Sequence, residues 1–174
     1  FHSKKKYQSV TGVRLNTTEA KLRVGQTKVL TATVIPADAY DKDYTWSSDD
    51  PSIAEVAGGI VAAKKEGTTN IRVTTKDGNR VAVCKVTVYI DHVTGVTLSS
   101  SALDLTVGDS RQLRATVAPR NAANQKVTWS SSNANVASVS SSGRVTAKAK
   151  GTAVITVKTE DGNKTASCTV TVKN

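Results

Sequence analysis

The chain contains the same sequence twice. Residues 10–36 read VTGVRLNTTEAKLRVGQTKVLTATVIP, and residues 93–119 read VTGVTLSSSALDLTVGDSRQLRATVAP. About 37 of the 79 positions in residues 10–88 are identical in the second copy. A repeat of this length is a duplicated domain rather than a solenoid unit. We therefore predict a polar leader (1–9), a first domain (10–88), a linker (89–92) and a second domain (93–174).

Each copy alternates between apolar and polar residues with the period of a β-strand. Ile71 and Val73 alternate with polar neighbours, and so do Cys84, Val86 and Val88. Asp-Gly pairs mark a hairpin turn before the last strand of each copy. No segment has a helical period. Seven or so short strands per copy predict an all-β fold of two tandem β-sandwiches with antiparallel sheets, joined by a short linker.

The tryptophans and cysteines each occur once per copy, at matching positions. Trp46 and Trp129 lie in TWSS segments, and we expect each to be a buried pillar of its core rather than a sugar-stacking platform. Cys84 and Cys168 lie in the apolar stripe of the last strand. One cysteine per domain cannot form an intradomain disulfide, so we predict free, buried thiols that act as core residues.

The net charge of +10 is spread along the chain. Residues 1–92 carry an excess of four basic side chains and residues 93–174 an excess of six, and no basic run exceeds Lys4–Lys6. Diffuse charge favours loose attraction to anionic polymers, such as cell-wall polymers or nucleic acid, but it defines no site, and we do not expect a nucleic-acid partner. No apolar run approaches 18 residues, so we expect no membrane span. Because residue 1 is not Met, we expect neighbouring domains in a longer polypeptide.

The combined motifs resemble the bacterial immunoglobulin-like domain, group 2. They are VTGVTL, LTVGDSRQL, ATVAP, VTWSSSNANVASVSSSGRVTAKAKGTAVITV and TASCTVTV in the second copy, with close counterparts in the first. The resemblance implies an immunoglobulin-like sandwich of bacterial surface proteins, adhesins and phage structural proteins. It also implies no family-wide catalytic residues and no disulfide of the antibody type.

Other groupings of reactive residues do not recur between the copies. His2 and His92 are the two histidines, and no nucleophile–base set or metal-ligand spacing repeats, so we predict no enzyme activity and no cofactor. Oxygen-rich loops can bind Ca²⁺. The loops of the first copy are rich in aspartate, and the sequence alone does not decide whether these residues bind Ca²⁺. They are Asp38, Asp41, Asp43, Asp49 and Asp50.

These observations predict a non-catalytic stalk, display or adhesion segment of a bacterial surface protein or a phage virion. We expect it outside the cell, on the bacterial surface or the virion surface. The alternatives are a dedicated module that binds a glycan or a host protein, and an accessory domain of a secreted glycan-degrading enzyme. The four-residue linker, which lacks Gly and Pro, predicts limited hinge freedom between the domains.

Overall fold

The computed structural model describes residues 6–174, which form two units, one ending at Ile90 and the other beginning at Asp91. All regular structure in this range is β-strand. The strands of the first unit are β1 (Gly12–Leu15), β2 (Glu19–Arg23), β3 (Thr27–Val29), β4 (Ala32–Ile35), β5 (Tyr44–Ser48), β6 (Ala54–Ala57), β7 (Ile60–Ala63), β8 (Gly67–Thr75) and β9 (Val81–Tyr89). Those of the second unit are β10 (Gly95–Leu98), β11 (Ala102–Thr106), β12 (Ser110–Gln112), β13 (Ala115–Ala118), β14 (Val127–Ser131), β15 (Ala137–Val139), β16 (Arg144–Ala147), β17 (Gly151–Thr159) and β18 (Thr165–Lys173).

The two units have the same strand arrangement. The first contains a four-stranded sheet in the order β2-β9-β8-β5, a three-stranded sheet β3-β7-β6 and the pair β1-β4. The second repeats this with β11-β18-β17-β14, β12-β16-β15 and β10-β13. The predicted all-β fold of two tandem immunoglobulin-like sandwiches is therefore confirmed.

Two details differ from the sequence prediction. Each unit has nine strands rather than about seven, because the run around Leu30 changes partner: β3 pairs with β7, whereas β4 pairs with β1. The four-stranded sheets are also not wholly antiparallel, since β2 lies parallel to β9 and β11 parallel to β18. A parallel pair needs a long crossover, and here the whole remainder of the domain provides it.

The main core of each unit is built from the apolar stripes of the long strands. Ile71, Val86 and Cys84 have no exposed surface in the first unit, and Ile155 and Val170 have none in the second. A smaller apolar cluster lies at the β1 or β10 end of each unit, around Val10 in the first and Val93 in the second. Both clusters are small, because a domain of this size has little interior volume in which to bury apolar side chains.

Candidate functional site

The tryptophans lie on edge strands of the four-stranded sheets and are only partly buried. Trp46 on β5 packs against the main core of its domain, and Trp129 on β14 packs against both apolar clusters of its domain. From the sequence we expected each tryptophan to be a buried core pillar; both pack against a core but keep some exposed surface. Partial exposure follows from position, because β5 and β14 have a neighbouring strand on one side only.

A glycine with positive φ makes room for each indole. A Cβ added to Gly143, at φ +88°, would lie 2.6 Å from Trp129 Cζ2 and 2.8 Å from the Leu113 carbonyl oxygen. A Cβ on Gly59, at φ +82°, would lie 3.2 Å from Trp46 Cζ2. A Cβ on Gly59 would also lie 2.6 Å from the Leu30 carbonyl oxygen, and real Cβ atoms do not approach other atoms within 3.0 Å, so each position requires glycine. The recurring glycine therefore fixes where each tryptophan lies.

Neither indole N–H is a fully buried group. Every buried side-chain nitrogen and oxygen in residues 6–174 has a hydrogen-bond partner, whereas neither indole N–H is bonded to this part of the chain. Because a buried unpaired N–H would be costly, the two groups must be accessible. Each tryptophan thus offers a free donor and part of an aromatic surface.

A shallow groove of about 630 Å³, wide open to solvent, lies beside Trp129. Its other lining residues come from the chain between β12 and β13, from β14 and from the turn before β16: Gln112, Leu113, Arg114, Ala115, Val127, Ser141 and Ser142. The Gln112 side-chain amide donates to the carbonyl oxygens of Leu113, at 2.8 Å, and Ser142, at 2.7 Å. These two hydrogen bonds therefore fix the orientation of the Gln112 side chain, which forms one wall of the groove.

The matching region of the first domain has different side chains. Val29 stands where the second domain has Gln112, Thr31 where it has Arg114, and Tyr44 where it has Val127. The Tyr44 ring packs edge-on against Trp46, with ring centroids 5.8 Å apart. The first domain is thus more aromatic here and carries no guanidinium at this position.

The cysteines lie in the main cores, as free thiols with no exposed surface. Burial raises the pKa of both the Cys84 and the Cys168 thiols. A buried protonated thiol is a poor nucleophile and a poor metal ligand. The positions of Trp46, Trp129, Cys84 and Cys168 agree with a packing role, which stays a prediction until variants are measured.

Three of the five loop aspartates of the first domain, Asp41, Asp49 and Asp50, are engaged in other contacts. Asp49 forms a two-pronged ion pair with Arg72, with Arg72 Nε 2.8 Å from Asp49 Oδ1. Asp50 accepts a hydrogen bond from the backbone N–H of Ser52, and Asp41 accepts one from that of Asp43. No three potential metal-ligating side chains come together within residues 6–174.

A recurring aspartate that the sequence analysis treated only as a turn residue has a second contact. Asp77 Oδ2 accepts a 2.9 Å hydrogen bond from the Val10 backbone N–H, and Asp161 Oδ2 accepts the same bond from Val93. His92 Nδ1 lies 3.1 Å from Asp161 Oδ2. The hairpin before the last strand therefore holds the start of each domain. His2, Lys4 and Lys5 lie outside the described residues.

Comparison with known families accounts for this architecture. The model of the bacterial Ig-like domain (group 2) matches residues 9–86 and 92–170. The chain belongs to this family. The resemblance predicted from the TWSS and flanking motifs is thereby confirmed, and so is the tandem arrangement. Among residues 6–174 there is also no helix that could span a membrane.

Relatives of these group 2 domains include a phage virion protein and a bacterial carrageenase. An Ig-like virion protein of Serratia phage KSP90 is 44% identical over 154 residues, covering 86% of this chain and 60% of the relative. A kappa-carrageenase of Pseudoalteromonas carrageenovora is 50% identical over 80 residues, covering 46% of this chain and 20% of the enzyme. The chain thus spans less than two thirds of either relative.

A solved structure shares the fold. The S-layer protein rSbsC(31-844) superposes with a TM-score of 0.52 at 22% identity, over 97% of this chain and 28% of that protein. At this identity the likeness concerns the fold alone. Among the sequence relatives, the phage virion protein matches over most of this chain, whereas the carrageenase matches only over a short Ig-like segment.

Proposed function

We propose that the two domains form a non-catalytic stalk or display segment exposed on a phage virion or a bacterial surface. The observation that carries this proposal is the 44% identity to an Ig-like virion protein over 86% of the chain. The duplicated architecture supports it, because each unit has its own sheets and its own core clusters. A repeated self-contained domain extends a surface protein without adding chemistry.

An antibody raised against residues 6–174 tests the proposed location. Intact virions and intact cells of the source should be labelled before they are broken open, as seen by immunogold electron microscopy. Antibody absorbed with the same recombinant chain is the control and should give no labelling. Labelling that appears only after lysis would place the protein inside the cell and would contradict the proposal.

The second candidate is an accessory domain of a secreted glycan-degrading enzyme. The match to part of a kappa-carrageenase favours it, since that enzyme contains a segment 50% identical to one copy. The same antibody can capture the parent polypeptide for peptide sequencing. Peptides from a catalytic domain on the captured polypeptide would favour this candidate, and peptides from virion or surface-anchoring regions would favour the display segment.

A further inference from the structure

We propose that the groove beside Trp129 binds an oligosaccharide that contains uronic acid. This assignment goes beyond the display role and does not depend on it, since a stalk with or without a binding groove would have the same location. It rests on three features of the groove, namely its aromatic surface, its hydrogen-bonding groups and its charge.

The aromatic surface is the partly exposed Trp129. A pyranose ring has C–H groups on its faces that pack against an indole, while its hydroxyl groups bond to polar groups at the rim. Gly143 leaves room for the indole, because any side chain there would overlap Trp129 Cζ2, and the two apolar clusters of the domain pack against the indole and hold it in place. The surface is therefore preorganised, which lowers the entropy cost of binding.

The hydrogen-bonding groups surround that surface. The Trp129 indole N–H is accessible and unbonded within the described part of the chain. Both Gln112 hydrogen bonds use its amide nitrogen as the donor, so its Oε1 remains able to accept from a hydroxyl group. The Ser142 hydroxyl, 2.9 Å from that of Ser140, adds a group that can donate or accept. Such alternating donors and acceptors match the hydroxyl groups of a sugar.

The charge of the groove selects for a carboxylate. Arg114 is its one charged lining residue, and no Asp or Glu lines it. The Arg114 guanidinium has no hydrogen-bond or ion-pair partner in residues 6–174. A guanidinium can bind a carboxylate through two parallel hydrogen bonds. A uronic acid offers that carboxylate on the same ring that packs against the indole.

The first domain provides a built-in comparison. It has Trp46 and Gly59 but lacks the groups that would recognise the sugar, since Val29 and Thr31 replace Gln112 and Arg114. We therefore expect the second domain to bind and the first to bind weakly. The chain contains two tryptophans, so a Trp46→Phe variant leaves Trp129 as its one indole reporter.

The test titrates tetragalacturonate, with cellotetraose as the neutral probe of equal length. In Trp46→Phe, tetragalacturonate should change the Trp129 fluorescence saturably at 0.15 M salt, on the order of tenfold more tightly than cellotetraose. Calorimetry on the unaltered chain repeats the measurement without any substitution near a core. Equal affinity for the two sugars, or no saturable binding of tetragalacturonate, would overturn the proposal.

A matched pair of variants separates the groove from diffuse charge. Arg114→Thr introduces the residue of the first domain, and Arg111→Thr removes the same charge from β12 at a position outside the groove. Arg114→Thr should weaken tetragalacturonate binding about tenfold or more, and Arg111→Thr should change it less than about twofold. Equal losses in the two variants would show that net charge alone attracts the sugar and would overturn the proposal.

Discussion

The contact between Trp129 and Gly143 shows how one residue without a side chain positions one with a large side chain. The glycine adopts a positive φ, which L-residues with a Cβ seldom adopt, and it also lies against the indole. Backbone conformation and packing thus require glycine independently. The equivalent pair in the first domain is Trp46 and Gly59. It is kept although the turn that leads to Gly59 is one residue shorter than the turn that leads to Gly143.

Gly143→Ala should lower the unfolding free energy of the second domain by more than the cost of placing an alanine at a positive φ. The added Cβ would overlap Trp129 and the Leu113 carbonyl, and such overpacking typically costs about 1–3 kcal/mol beyond the cost of the positive φ. Gly108→Ala is the matched control, since Gly108 has φ +96° and nothing within 4 Å of an added Cβ. Chemical denaturation of both variants measures the difference. Equal destabilisation would mean that the contact with Trp129 contributes nothing.

The two thiols should resist labelling in the native protein. Cys84 and Cys168 are fully buried, and burial raises the pKa of each thiol. A thiol-reactive reagent at pH 8 should label neither residue in buffer and both in denaturant, as counted by mass spectrometry. Rapid labelling of the native chain would contradict the core assignment of these residues.

The raised thiol pKa values also give a direction for alkaline stability. The neutral thiols favour the folded state fully below the ordinary cysteine pKa, about 8.5, and that contribution is lost as pH rises above it. Urea unfolding at pH 7 and pH 10 should therefore show a smaller alkaline decrease for Cys168→Ala than for the unaltered second domain. An identical decrease would indicate that the thiol does not contribute.

At the scale of elements, the N-terminal part of each domain is tied to its last strand and to the hairpin before that strand. β11 pairs with β18 in parallel, and the hairpin residue Asp161 accepts the Val93 backbone N–H just before β10. The start of the domain is thus anchored to its final hairpin rather than to its nearest neighbours in sequence.

Asp161→Ala should destabilise the second domain in a pH-dependent way. The Val93 backbone N–H, and then His92, hold the pKa of Asp161 below that of an ordinary carboxyl. The stabilisation is therefore fully present above about pH 3.9 and is lost as pH falls through the lower pKa of the folded state. Urea midpoints should differ between Asp161→Ala and the unaltered chain at pH 6 and converge near pH 2. Asp104→Ala, which removes an exposed carboxylate of β11, is the control and should show no such pattern.

At the scale of the whole molecule, the duplication gives two units with separate cores. The clusters around Ile71 and Val10 belong wholly to the first unit, and those around Ile155 and Val93 wholly to the second. Domains of about 80 residues can fold alone when they bury a core of this kind.

Residues 91–174 expressed alone should therefore fold as they do in the full chain. Their amide NMR signals should overlay those of the same residues in residues 6–174, apart from the residues nearest the cut. Residues 6–90 provide the reciprocal fragment. Loss of signal dispersion in either fragment would show that the domain needs its neighbour.

The sequence by itself determined the domain count, the β-class and the inward-facing stripes. These follow from local information, because a period of two fixes which side chains share a face and the internal repeat fixes the extent of the domain. The Cys84 and Cys168 positions could be assigned in this way, since each lies within a long alternating strand.

Tertiary structure alone decided the parallel pairing of β2 with β9, the partial exposure of the tryptophans and the groove beside Trp129. Gln112 and Arg114 lie two residues apart, but Trp129 and Ser142 come from other segments, and nothing in a local pattern brings the three segments together. Trp129 is partly exposed because β14 lies at a sheet edge, and strand order depends on contacts between residues far apart in sequence. Differences between the copies, such as Thr31 against Arg114, were the one sequence signal that could have directed attention to the groove.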